Sequence, residues 1–250
     1  GDFDRECFLA GTLDDSYGHY QTFTANKSKE EIDGKVKWLF EKDFIPDIMR
    51  RQRITAYEWH DDILVIFITA LFKNDYPDLR ALRVFSVSPF VRYYGSEIKT
   101  VDRTGDPLNK TTTYDIELFS SSLAKTVAGY YNFDYDSVAA VSSGGDIGYR
   151  GVVNREKITT EAQKMSFLAG VFIRCRSFYR HDPDVEGRYA IVIPDSFSTL
   201  KVCVDILKEF GCDIVQESPK VVFNTSDKIR NLVSLAGELY DKAASVIIAY

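Results

Sequence analysis

Ser166-Phe167-Leu168-Ala169-Gly170-Val171-Phe172-Ile173-Arg174-Cys175-Arg176-Ser177-Phe178 echoes an earlier stretch, Cys7-Phe8-Leu9-Ala10-Gly11-Thr12-Leu13-Asp14-Asp15-Ser16-Tyr17-Gly18. Both carry Phe-Leu-Ala-Gly followed by apolar residues at helical spacing. A glycine inside a helix costs about 1 kcal/mol relative to alanine, so a repeated mid-helix Ala-Gly requires an offsetting gain. Close approach supplies one. With little bulk at Ala10, Gly11, Ala169 and Gly170, two helix backbones can press together, flanked by Leu9 and Leu13 on one side and Leu168 and Phe172 on the other. Such a seam joins two similar halves.

Downstream of the second copy the pattern is regular. Ser177 to Arg180 reads as a short strand, Asp182-Pro183-Asp184 as a turn, and Arg188 to Pro194 as the partner strand. Ser196 or Ser198 can cap a helix from Thr199 to Phe210, with Leu200, Val204, Leu207 and Phe210 on one face and Gly211 closing it. Cys212 to Gln216 and Lys220 to Asn224 form a second hairpin. A last helix carries Ile229, Leu232, Val233, Leu235, Ala236 and Leu239 in register.

The first half reads as the same unit, interrupted. Strands are expected near Gly18 to Thr24, Thr113 to Phe119, Ser137 to Ser142 and Ile147 to Val153, with a helix from Leu123 to Tyr131 capped within Ser120 to Ser122. Tyr114 to Leu118 then matches Tyr189 to Ile193. The intervening segment has its own pattern: a helix from Glu30 to Phe40, a hairpin of Ile54 to Trp59 with Ile63 to Thr69, a short helix after Pro77, and a strand-like run from Val84 to Tyr94. Asp102 to Lys110 is a polar loop.

The two quoted stretches resemble degenerate copies of the motif that defines the LAGLIDADG homing-endonuclease family. The resemblance implies an α+β fold: a pseudo-two-fold pair of αββαββα repeats with saddle-shaped antiparallel sheets and an inserted subdomain in the first repeat. The repeats would span 1–25 plus 111–158 and 159–250, with the insert at 26–110. In that family the paired motif helices form the repeat interface, and each ends in an acidic residue that holds metal for DNA cleavage. Here the acid positions fall on Ser16 and Cys175. Neither holds a divalent cation as a carboxylate does. A one-residue slide of the first copy offers Asp15, with Asp14 at the motif's earlier aspartate, so at most half of a two-metal site remains.

The saddle gives a second expectation. If Tyr189, Ile191 and Ile193 face the core, the outer face of that strand presents Arg188, Ala190, Val192 and Pro194; its counterpart presents Thr113, Asp115, Glu117 and Phe119. Aliphatic and acidic groups do not suit a duplex, whose recognition requires polar and basic side chains. The candidate nucleic-acid contacts are Arg174, Arg176, Arg180 and Arg188 around the second motif, with Arg50 and Arg51 in the insert.

The bulk charge agrees with this. The chain of 250 residues carries a net charge of -6, the wrong sign for a protein living on phosphate backbone. Cys7, Cys175, Cys203 and Cys212 show no zinc spacing and read as reduced thiols in an intracellular, reducing compartment. There is no apolar run of membrane-spanning length and no signal-peptide pattern. A self-splicing intein is not expected, since a nucleophile at the first residue and a terminal His-Asn are lacking. Glu58-Trp59-His60-Asp61-Asp62 reads as a charged hairpin tip, and Ser143-Gly144-Gly145-Asp146 as a turn too short for a phosphate loop. Two functions follow. The first is a catalytically degenerate relative acting as a nucleic-acid- or protein-binding or structural subunit, without cofactor; the alternative is an active, Mg-dependent endonuclease using Asp14 or Asp15.

Overall fold

The computed structural model describes residues 3–13, 23–24, 53–58, 61–87, 91–94, 114–141, 146–193 and 197–248. The fold is α+β, with six α-helices and small antiparallel sheets among these residues. The chain divides into two compact units, 1–35 with 126–250, and 36–125.

In the first unit, α1 (Arg5–Gly11) and α4 (Glu161–Cys175) make the most extensive helix–helix contact among the described residues. Asp4 caps α1 by accepting the Cys7 N–H at 2.9 Å. A capping box starts α4: Thr160 Oγ1 accepts the Gln163 N–H, and Gln163 Oε1 accepts the Thr160 N–H in return. Eleven residues of Phe8–Leu13 and Phe167–Phe172 are buried, and Ala169 is half-buried in the same run.

The close approach follows the glycines. A methyl at Gly11 would overlap the Phe167 carbonyl oxygen, and one at Gly170 would overlap the Phe8 carbonyl oxygen. The contact is reciprocal, each glycine receiving the carbonyl of the opposite phenylalanine. The preceding positions reach across as well. Cys7 Sγ points to the Lys157 carbonyl at 3.8 Å, and Ser166 Oγ accepts the Asp4 N–H at 2.9 Å.

After α4 come β8 (Arg188–Ile191), α5 (Phe197–Glu209), β9 (Asp213–Gln216), β10 (Val221–Asn224) and α6 (Asp227–Ile248). The sheet order is β8-β10-β9, all antiparallel. The expected strand at Ser177 to Arg180 is reduced to one bridge, Arg180 with Tyr189, because the chain turns through 176–179 first. Phe223 of β10 stacks on Phe172 of α4 at 6.1 Å between ring centroids. Each such buried side chain contributes about 1.5–3 kcal/mol from apolar burial. The last helix runs through Ile248, beyond the apolar positions that announced it.

In a second sheet of this unit, β1 (Phe23–Thr24) pairs directly with β7 (Asp146–Val153), which pairs with β6 (Tyr131–Val141). The expected second strand of this sheet lies elsewhere. β5 (Tyr114–Phe119) sits between β2 (Arg53–Glu58) and β3 (Arg80–Val87) in a four-stranded sheet completed by β4 (Val91–Tyr94). Its match to Tyr189–Ile193 in sequence therefore does not carry over into pairing. Alternating strands look alike whichever neighbour completes them, and only the available edge decides.

Two further corrections fall in the 36–125 unit. Asp62–Phe72 is a helix, α2, where a strand was expected from Ile63 to Thr69. Its run of β-branched residues imitates a buried strand; its 11-residue length is the better guide. No helix follows Pro77: the chain turns and enters β3 at Arg80, and Val84 to Tyr94 is a β3–β4 hairpin. Ser120 does cap α3 (Ser121–Ala128), its Oγ accepting the Leu123 N–H at 3.0 Å. The helix expected at Glu30–Phe40 and the loop at Asp102–Lys110 lie outside the described residues.

Candidate nucleic-acid interface

The end of α4 is where the resemblance leads one to expect an acid. Cys175 closes α4, and its Sγ donates to the Val171 carbonyl at 2.9 Å and lies 2.7 Å from Ser177 Oγ. Ser177 in turn donates to the Ala190 carbonyl at 2.7 Å, tying the helix end to β8. Burial pushes the Cys175 thiol up from its ordinary value, and buried Cys203 is pushed up as well, by its own burial and by Cys175. Mg requires hard oxygen ligands, and a protonated thiol turned onto a backbone carbonyl does not fit it. Among the described residues no group of three His, Cys, Asp or Glu side chains converges as a metal site. Asp14 and Asp15, the candidates in the first copy, lie outside the described residues, as does Ser16.

Arg176 then takes a left-handed conformation at φ 53. This turn is usually given to glycine, and a residue with a side chain is strained there by about 1–3 kcal/mol. The turn closes the helix: the Ser177 N–H donates to the Phe172 carbonyl at 2.9 Å. It sends the Arg176 guanidinium over the Tyr240 ring of α6, 5.8 Å from the centroid. Phe178 packs on the same ring at 5.2 Å. Arg176 is thereby engaged with α6.

The outer face of the β8-β10-β9 sheet has the parity that alternation implied. Tyr189, Ile191 and Ile193 are buried, Arg188 and Ala190 are half-buried, and Val192 is 52% exposed. Pro194 lies outside the described residues. Across the sheet Val222 stands opposite Ala190, and Asn224 opposite Arg188. Val215 of β9 is 50% exposed. Arg188 is largely spoken for: its Nε donates to Asn224 Oδ1 at 3.2 Å, and its Nη1 lies 3.6 Å from Asp182 Oδ2.

Of the six candidate arginines, Arg180 and Arg188 come together at the sheet edge, where Arg180 bridges to Tyr189 and the His181 N–H donates to the Arg188 carbonyl. Arg180 is exposed and Arg174 half-buried. Arg50 and Arg51 lie outside the described residues. In the counterpart strand β5, Leu118 is buried, as its parity required. Sequence reasoning missed Asp182, Asn224 and Ser177, which partner Arg188 and Cys175. Asp182 had a turn signal and no sign of its charge partner.

No protein-family model, curated protein or solved structure matches this chain. No helix among the described residues is long and apolar enough to cross a membrane. All four cysteines are free thiols.

Proposed function

We propose that this chain is a LAGLIDADG-type scaffold of two pseudo-two-fold repeats that binds a partner and does not cut DNA. The observation that carries the reading is Cys175: at the end of the second motif helix a thiol, hydrogen-bonded inward to the Val171 carbonyl, stands where cleavage requires a carboxylate. The reciprocal seating of Gly11 and Gly170 supports the two-repeat ancestry.

The sheet face favours a protein partner over a duplex. It combines exposed Val192 and Val215 with an arginine already neutralised by Asp182. The net charge of -6 also resides wholly in the 1–35 and 126–250 unit, since the 36–125 unit carries thirteen basic and thirteen acidic residues. A duplex laid on that unit meets net repulsion.

Cleavage of a random-sequence duplex library with and without Mg tests the reading, alongside Cys175→Asp. The expected result is no cut by either protein and a lower melting temperature for Cys175→Asp, because a carboxylate cannot donate to the Val171 carbonyl as the thiol does and is repelled by it. Mg-dependent cuts by the native chain, abolished by Asp15→Asn, would overturn it in favour of the endonuclease. A mobility shift with duplex at low salt would assign the partner as nucleic acid instead of protein.

A further inference from the structure

Within the 36–125 unit, a cleft of about 470 Å³ opens between the end of α2 and the start of β3. Its polar wall is Thr69, Lys73, Asn74 and Arg80; its apolar wall is Pro77, Leu79 and Ala81. Among the described residues no carboxylate lines it. This is the volume range of small-molecule sites, and far more than inorganic phosphate fills.

The two cations are arranged for an anion. Arg80 Nη1 donates to the Pro77 and Leu79 carbonyls at 2.8 and 2.7 Å, which fixes the guanidinium and leaves its other N–H groups without a protein acceptor among the described residues. The Lys73 ammonium has no ion-pair partner among the described residues. Of the two acids nearby in sequence, Asp75 and Asp78, neither lines the cleft, and Asp78 accepts the Ser120 and Ser122 hydroxyls at 2.8 and 2.6 Å. A guanidinium held by backbone carbonyls, with no carboxylate partner among the described residues, keeps N–H groups of the kind phosphate oxygens take.

We propose that this cleft binds a phosphate monoester of nucleotide size, Lys73 and Arg80 holding the phosphate and the exposed Pro77 and Ala81 side chains meeting the base or sugar. Thr69 and Asn74 supply hydroxyl and amide groups for the polar edge. The proposal is independent of the reading of the motif helices. The phosphate can belong to a free mononucleotide or to the 5′ end of a strand. The competing role for Lys73 is local: it stands at the C-terminal cap of α2, where a cation complements the helix dipole without any ligand.

Calorimetric titration of the full chain with AMP, adenosine and a short oligonucleotide, with and without its 5′ phosphate, tests this. AMP is expected to bind and adenosine to bind at least about tenfold more weakly, with Lys73→Gln lowering AMP affinity about tenfold and Lys73→Arg restoring it. Arg80→Gln is expected to do the same, its folding checked by circular dichroism. Preference for the phosphorylated oligonucleotide over AMP assigns a strand end; the reverse preference assigns the free nucleotide. Absence of AMP and oligonucleotide binding at millimolar concentration overturns the proposal. So does AMP affinity that Lys73→Gln leaves unchanged while lowering the melting temperature, which would make Lys73 a helix cap alone.

Discussion

Gly11 and Gly170 meet the opposite helix in the same way, whereas the residues that open and close α1 and α4 differ. α1 is seven residues long and capped by one aspartate; α4 is fifteen, with a reciprocal capping box. Cys7 and Ser166 occupy equivalent positions and both reach across the seam, one with an ionisable thiol and the other with a hydroxyl. The shared part is the part that packing constrains. A backbone-to-backbone contact tolerates no added atom, while an end that meets solvent or a neighbouring strand can change its chemistry and keep the seam.

The largest effect tests the shared part. Gly170→Ala gains about 1 kcal/mol of helix propensity, yet its methyl overlaps a backbone carbonyl that cannot swing aside. A net loss of about 3 kcal/mol is expected in urea unfolding, and a similar loss for Gly11→Ala. An alanine variant as stable as the native chain would break the reciprocal seam; a loss at only one of the two would make it one-sided.

The next effect separates Cys7 from Ser166. Burial, then the Asp4 carboxylate, pushes the Cys7 thiol up to about 12 from an ordinary 9.0. The unfolded chain releases this proton first, so the stability it supports is complete below pH 9 and is lost as pH rises towards 12. Tyr130, Cys175 and Cys203 are shifted in the same direction. Cys7→Ser, which copies the Ser166 side of the seam, is therefore expected to make the alkaline fall in unfolding free energy shallower without abolishing it. An unchanged slope would remove Cys7 from the account.

The smallest effect concerns the helix starts. Thr160→Ala deletes one half of the capping box and is expected to cost about 1 kcal/mol in urea unfolding. Asp4→Ala should cost about the same, as α1 has only that cap. A larger loss at Asp4 would show that the shorter helix depends more heavily on its cap.

Much of the first unit was legible because its signals are local. Gly211 after a helix and the alternation of Tyr189, Ile191 and Ile193 each state their structure within a few residues. The 36–125 unit was less so. Asp62–Phe72 is apolar on nearly every side, so neither a period of two nor one of 3.6 stands out. β5 alternates as a strand should, but alternation names no neighbour. The candidate interface divides similarly: that a cysteine stands at position 175 could be read directly, while its inward hydrogen bond and the ion pair of Arg188 could not.

The sequence by itself determined the two glycine-bearing helices and the parity of the strand after the second, because chain stereochemistry turns spacing into faces. The tertiary structure alone decided which sheet received β5, where the Cys175 thiol turned, and that Lys73 and Arg80 line one cleft. Those outcomes depend on partners far away in the chain or beyond a turn, and pairing across such distances is set by which edges and cavities the folded molecule leaves available.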